Sequence, residues 1–244
     1  MGSDVQPDPN DELLKLTFYA TPSHSCSYLS EQQATTVFLD PEKHISKKLY
    51  TRLSETGFRR SGSHIYRPHC ETCQACVPVR IPVNQFKANR SQRRCLKKGS
   101  LFRSELSEAR YHDEHYHLYE RYLRERHADG DMYPPSHQQY QDFLFSEWSN
   151  TEFLNIYDQN KLIACSVIDR LDNAFSAVYT YFDPKYEHYS LGKLAILRLI
   201  EAAKDAHLDF LYLGYLVKDC RKMKYKSEYR PLDCLVGNRW VRLT

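Results

Sequence analysis

In the stretch "PHCETCQACVPVR", Cys70, Cys73 and Cys76 lie three residues apart. Cys-x2-Cys spacing lets two sulfurs reach one metal ion, and here it occurs twice in succession. A tetrahedral site needs a fourth ligand, for which Cys26 in "SHSCSY" is the candidate, with His24 and His69 behind it. Four thiolates suit either zinc or an iron–sulfur cluster. Free cysteine is also among the most buried residue types, so packed unpaired thiols explain the same residues, and both readings stand. Cys95, Cys165, Cys220 and Cys234 have no neighbour at ligand spacing and read as structural.

Cations supply the second kind of chemistry. "GFRRSGSHIYRPHC" presents Arg59, Arg60 and Arg67 from a glycine-bounded segment just ahead of the thiols. A guanidinium holds a carboxylate through two parallel hydrogen bonds, although surface ion pairing is the plainer use of such residues. Net charge is only +3, but "NRSQRRCLKKG" gathers Arg90, Arg93, Arg94, Lys97 and Lys98, and "KDCRKMKYKSEYR" adds Lys222, Lys224 and Lys226 around Tyr225. Either run alone reads equally well as solvated surface. The pair, in a nearly neutral chain, favours a phosphate-bearing partner whose bases the tyrosine stacks.

Several elements must position these groups. Residues 1–15 read as a disordered tail, 16–100 as a small α+β unit carrying the thiols, and 101–244 as a second unit. In the first unit, Asp40 and Pro41 read as the cap and first residue of a helix with Ile45, Leu49 and Leu53 on its apolar face and Gly57 as its stop. "SHIYRP" and "VPVRIPV" follow as strands, the second placed at an edge by Pro82. A helix is expected from about residue 108, with Tyr111, Leu118, Tyr119, Tyr122 and Leu123 on one face, and a shorter one after the Pro-Pro break.

The last hundred residues give three strands, a helix from Ser190 with Ile196, Leu199, Ile200 and Ala203 in helical period, and a returning strand "FLYLGYLV". Such an order makes the helix a crossover between parallel strands, with its N-terminus near the strand ends where α/β sites lie. It is also the heart of the acyltransferase fold of N-acetyltransferases. An acetyl-CoA enzyme of that fold places spaced glycines at the helix start. Here Ser190, a ready N-cap, and Gly192 stand alone, which argues against a coenzyme A donor. The expected fold class is therefore α+β: a small N-terminal unit with a cysteine cluster and a C-terminal acyltransferase-like mixed sheet with a crossover helix.

No apolar stretch approaches the roughly 18 residues of a membrane span, and the start lacks both a secretory leader and the myristoylation pattern. A cytoplasmic protein with reduced thiols and no membrane partner is expected.

Read in order, "CSYL", "GFRRSGSHIYRPHCETCQACVPVRIPV", "RSQRR", "SAVYTYFDP", "SLGKLAIL" and "LYLGYLVKDCRKMKYKSEYRP" resemble the aminoacyl-tRNA-protein transferases of the N-degron pathway, in particular their bacterial branch. The resemblance covers about residues 17–240. It implies transfer of leucine from leucyl-tRNA to the N-terminal α-amine of proteins that start with Asp or Glu, which marks them for degradation. A GNAT-like domain would bind aminoacyl-tRNA in place of acetyl-CoA. Eukaryotic relatives bind an iron–sulfur cluster through N-terminal cysteines, and of their first pair Cys26 matches here, with Leu29 in the second position.

On this resemblance Arg59, Arg60 and Arg67 would receive the acidic N-terminus. Arg93, Arg94, Ser190, Gly192, Lys222, Tyr225 and Lys226 would bind tRNA. Tyr212 and Asp183 would handle protons, and Cys26, Cys70, Cys73 and Cys76 would hold zinc or a cluster that catalysis does not require. Arginyl-tRNA as donor, a coenzyme A-dependent N-acetyltransferase and a non-catalytic, metal-stabilised RNA-binding protein are the alternatives.

Overall fold

The computed structural model describes residues 13–130 and 132–244. The tail expected over 1–15 falls largely outside these residues; of its end, Leu13 packs against a buried core.

A four-stranded sheet is built from β1 (Phe18–Ala20), β4 (Thr36–Leu39), β5 (Arg59–Ser61) and β6 (His64–Pro68) in the order β1-β4-β6-β5. The short pair β2 (His24–Ser25) and β3 (Gln33–Ala34) carries Cys26 beside it. Helix α1 (Lys47–Glu55) buries Leu49, Tyr50 and Leu53 against this unit. Its start differs from the sequence expectation. Ser46 is the N-cap and accepts from the Leu49 N–H, whereas Asp40 holds a turn by accepting from the Glu42 N–H. The helix stops as expected at Gly57, whose φ of +95° few other residues tolerate.

The remaining strands form one eight-stranded mixed sheet. They are β7 (Val77–Pro82), β8 (Arg103–Glu108), β9 (Thr151–Asp158), β10 (Lys161–Arg170), β11 (Ala174–Phe182), β12 (Phe210–Leu216), β13 (Leu232–Val236) and β14 (Arg239–Leu243), in the order β14-β13-β7-β12-β11-β10-β9-β8. β7 lies inside this sheet, between β12 and β13, and not at the edge that Pro82 suggested. Its prolines, Pro78 and Pro82, flank the two residues that pair with β13, Val79 and Arg80, so neither is asked to donate there. The large sheet therefore draws on both sides of residue 100. β8 occupies residues 103–108, and the helix expected from there begins later, as α3 (Asp113–Arg126), leaving Tyr111 outside it.

Alternation divides the apolar side chains between two faces. Val79, Ile81, Leu154, Ile156 and Phe175 pack under α2 (Arg90–Lys98) and α5 (Leu191–Asp205). Phe153, Cys165, Val167 and Tyr181 pack under α3 and α4 (His137–Leu144). A third core joins α1 to the base of β11 and β12 through Leu171, Ala174 and Tyr212. β11 and β12 are parallel neighbours with α5 as the crossover between them, which is the expected strand–helix–strand arrangement. Among the described residues no helix is long and apolar enough to cross a membrane.

Candidate functional site

The site grows from a break in the large sheet. β11 and β12 pair only from Ala174 with Phe210 to Ser176 with Tyr212, yet β11 runs on to Phe182 and β12 to Leu216. Beyond the last pair the strands diverge, and a cavity of about 1190 Å³ opens between them. Ala177 to Thr180 of β11, Leu213 and Gly214 of β12, and Gly192 and Ile196 of α5 line it. Gly214 carries a φ of +77° where the pairing of β12 with β7 slips register between Tyr212 and Tyr215. A glycine inside a strand often marks such an irregularity or a close approach. Here the irregularity is the register slip; a Cβ on Gly214 would make only ordinary contact with the Lys226 amine, at 3.7 Å.

Arg59 forms one wall of the cavity. It is only 4% exposed. Its Nη1 donates to the carbonyls of Ser54 (3.0 Å) and Phe58 (2.6 Å), which anchors one side of the guanidinium. The rings of Tyr212 and Tyr215 lie 4.9 and 5.8 Å from its centre. Its Nε and Nη2 have no hydrogen-bond partner among the described residues. A buried cation with unused donors is costly unless an anion completes it, so this wall is built for a carboxylate or phosphate.

The other expected arginines are already engaged within the protein, although Arg60 also touches the cavity lining. Arg60 donates to Asp169 from Nε (2.6 Å) and Nη2 (2.8 Å), and also to the carbonyls of Gly62 and Leu144. Tyr50 and Thr151 hydroxyls complete the Asp169 carboxylate. Arg60 is thus committed to a buried junction between the N-terminal unit and β10, with its charge already neutralised. Arg67 donates to the Thr56 carbonyl and stacks on Phe58, outside the cavity lining.

Lys226 is not a surface cation, as the basic run suggested. The 3-10 turn Lys224–Glu228 folds it inward until it is 5% exposed, donating to the Tyr215 carbonyl at 2.6 Å. Burial first, and then the Arg59 charge, lower its amine from the usual lysine range to about 8. Lys222 and Tyr225 of the same segment line the cavity from its exposed rim.

Two distant basic runs meet beside the cavity, although Arg93 and Arg94 are not part of its lining. Helix α2 starts with a capping box between Asn89 and Gln92 and leaves Arg93 and Arg94 exposed. It lies close on α5, with Gly99 against Leu194 and the Cys95 thiol donating to the Tyr189 carbonyl. Gln92 also donates to the Glu228 carbonyl, tying α2 to the 224–228 turn. Ser190 occupies the N-cap position of α5 but in the left-handed region, φ +56°, and its hydroxyl makes no capping bond. A non-glycine residue held there stores strain of a kind found at functional sites.

Tyr212 and Asp183 are placed away from the cavity lining. Tyr212 is buried, its hydroxyl accepting from Arg80 at 3.1 Å. Asp183 accepts from Lys161 (2.8 Å), Arg121 (3.0 Å) and the Lys185 N–H. Burial alone would raise its pKa, but the hydrogen bonds from Lys161 and Lys185 and the nearby cations hold it below the usual carboxylate range. A carboxylate so satisfied braces the turn before α5 and is a poor proton carrier.

The thiols are neighbours. Burial first, then the charges of Cys26, Cys70 and Cys73, push the Cys76 thiol up to about 11, and Lys226 opposes them. Cys26 also lines the cavity. In chemistry the four sulfurs suit zinc or a cluster, yet among the described residues no group of three or more His, Cys, Asp or Glu side chains converges as around a bound ion.

Sequence reasoning missed the walls of the cavity. Ile196 and Leu213 read simply as core, and Tyr229, 1% exposed with a hydroxyl that has no partner among the described residues, was not singled out within its basic run. The lone glycine within the strand of Leu213 was the available signal.

Comparison with known proteins agrees along the length of the chain. Residues 24–94 match the family model of the arginine-tRNA-protein transferase N terminus, and 114–236 that of its C terminus. The aspartate/glutamate leucyltransferase of Teredinibacter turnerae is 52% identical over 95% of this chain and 96% of its own length. That of Marinobacter nauticus is 50% identical over 95% and 98%. L-PGS from Bacillus licheniformis has a TM-score of 0.45 and 9% identity, over 58% of this chain and 45% of its own. The chain thus belongs to the arginine-tRNA-protein transferase family.

Proposed function

We propose that the protein transfers leucine from leucyl-tRNA to the N-terminal α-amine of proteins beginning with Asp or Glu, in the cavity between β11 and β12, and so marks them for degradation. The observation that carries the reading is Arg59, a buried guanidinium with two unused nitrogens in the cavity wall. An acidic first side chain supplies the missing anion, and a neutral one leaves the charge uncompensated.

The chemistry is aminolysis of an activated ester. The peptide nitrogen attacks the aminoacyl carbonyl, a C–N bond forms, and the C–O bond to the terminal ribose breaks. One proton leaves the amine and the departing ribose oxygen takes one up. A free α-amine titrates near ~7.7–8.0, so a useful neutral fraction is present and positioning dominates. Lys226, with its amine lowered to about 8 in the same cavity, is suited to hold that proton at Nζ. Lys222 at the rim and the exposed Arg93 and Arg94 of the neighbouring α2 hold the tRNA backbone, Tyr225 stacks on its terminal bases, and the α5 start at Ser190 and Gly192 faces its phosphates.

Cys26, Cys70, Cys73 and Cys76 are the thiols that would supply ligands to a zinc ion or iron–sulfur cluster, and no step of the transfer passes through one. Zinc and iron analysis of the purified protein, alongside a variant with all four changed to serine, tests that part. The aminoacyl-tRNA donor locates the reaction in the cytoplasm.

The test is mass spectrometry of Asp-starting and Asn-starting peptides incubated with leucyl-tRNA or arginyl-tRNA. A single leucine added to the Asp peptide is expected. No addition from either tRNA overturns the reading.

A further inference from the structure

The cavity has two unlike sides, and the difference bears on the donor amino acid. Along β12 the side chains alternate: Leu211 and Leu213 enter the core under α5, whereas Tyr212 enters the core under the N-terminal unit. Tyr215 follows Tyr212, donating its hydroxyl to the Gly57 carbonyl at 2.9 Å. Arg59 lies over the rings of Tyr212 and Tyr215, so the acidic-substrate wall belongs to that face. The α5 face is walled by Ile196, Leu199 and Leu213, each buried and each lining the cavity. Tyr229, in the same α5 core, adds a buried hydroxyl with no partner among the described residues.

We infer that this aliphatic wall is the pocket for the donor's side chain, that it selects leucyl over arginyl groups, and that Tyr229 positions the polar end of the aminoacyl ester. The inference rests on the transferase reading above and names the residues that read its donor. Of the described residues lining the cavity, Asp129 alone is a carboxylate, and it is exposed on the loop after α3. A guanidinium laid on Ile196, Leu199 and Leu213 would lose its water and gain no partner, whereas an isobutyl group loses nothing there. Discrimination between apolar groups of different size should be modest, because a missing or extra methylene in such a pocket changes selectivity by about 10–200-fold.

The experiment uses one leucine tRNA body charged chemically with leucine, phenylalanine or arginine, so that only the aminoacyl group differs, and an Asp-starting peptide as acceptor. The native protein should use the leucyl form at least about 1000-fold better than the arginyl form. Ile196→Ala and, separately, Leu213→Ala should raise the phenylalanyl-to-leucyl ratio of kcat/KM by about tenfold or more, a ratio that loss of folded protein does not alter. Tyr229→Phe should lower kcat for all three donors and leave their ratio unchanged. Equal use of arginyl and leucyl forms, or an unchanged ratio in both alanine variants, overturns the aliphatic pocket while leaving the transferase reading intact. An unchanged kcat in Tyr229→Phe removes Tyr229 from it. Failure of all three donors with the native protein is instead the failure of the transferase reading itself.

Discussion

Arg59 and Arg60 are adjacent, both nearly excluded from water, and carry the same charge, yet they belong to opposite kinds of region. Arg60 lies in a junction that the chain completes by itself, with Asp169 opposite and Tyr50 and Thr151 filling the remaining positions. Arg59 lies in a wall left incomplete, with Nε and Nη2 unused by the described residues. A buried cation is tolerable when its counter-charge is either built in or delivered. The first arrangement ties the N-terminal unit to β10, and the second is the one the proposed reading completes with a substrate.

That contrast can be broken most severely at the junction. Arg60→Met leaves Asp169 buried without its cation and should destabilise the protein by about 3–5 kcal/mol, read as a shift in the urea midpoint. Replacing Asp169 by Leu together with Arg60→Met should recover much of that loss, because no uncompensated charge then remains. Arg59→Met should do the reverse. The folded protein gives up a charge it does not neutralise, so stability should change far less than in Arg60→Met, while kcat/KM for an Asp-starting peptide should fall by about a hundredfold, a partner loss of roughly 2–5 kcal/mol.

Lys226 sharpens the comparison through pH. Its folded pKa, about 8, lies below the ordinary lysine value of 10.5. Between these values the unfolded chain binds more protons, so stability should rise with pH from about 8 towards 10.5, with a slope of at most about 1.4 kcal/mol per pH unit. Below pH 8 the buried charge weighs fully against the fold. Lys226→Met should remove this rise, which denaturation across pH 7–10 would reveal. The smallest effect is expected on the exposed face of α2, where Arg93→Ala with Arg94→Ala should weaken tRNA binding and reduce the slope of log affinity against log salt by about 0.7–0.9 per cation removed.

Much of the C-terminal half was legible because its signals are local. The apolar runs of β10 and β11 and the helical period of Ile196, Leu199, Ile200 and Ala203 identified strands and crossover helix directly. The short strands β1 to β4 escaped notice, since two to four residues carry no period. β7 was misplaced because the prolines suggested an edge, and only the register with β13 shows why they do no harm there.

The site was harder to see for a different reason. Nothing local separates Arg59 from Arg60, because the carboxylate that claims Arg60 is 109 residues away. Lys226 read as surface within a run of cations, and only the turn that folds it onto Gly214 takes it inside. Tyr212 and Asp183 were singled out by residue type and position, and long-range partners, Arg80 and the Arg121–Lys161 pair, occupy them. Residue type indicated the chemistry available, and tertiary contacts decided which copies remain free to perform it.

The central claim is that Arg59 reads the acidic first residue, and paired peptides test it most directly. Steady-state kinetics of leucine transfer to peptides differing only in Asp or Asn at the first position should show the native protein favouring Asp by about a hundredfold, and Arg59→Met bringing the two peptides to within a few-fold of each other. Equal loss on both peptides, with the Asp preference retained in Arg59→Met, would contradict the account and move acidic recognition to another part of the cavity.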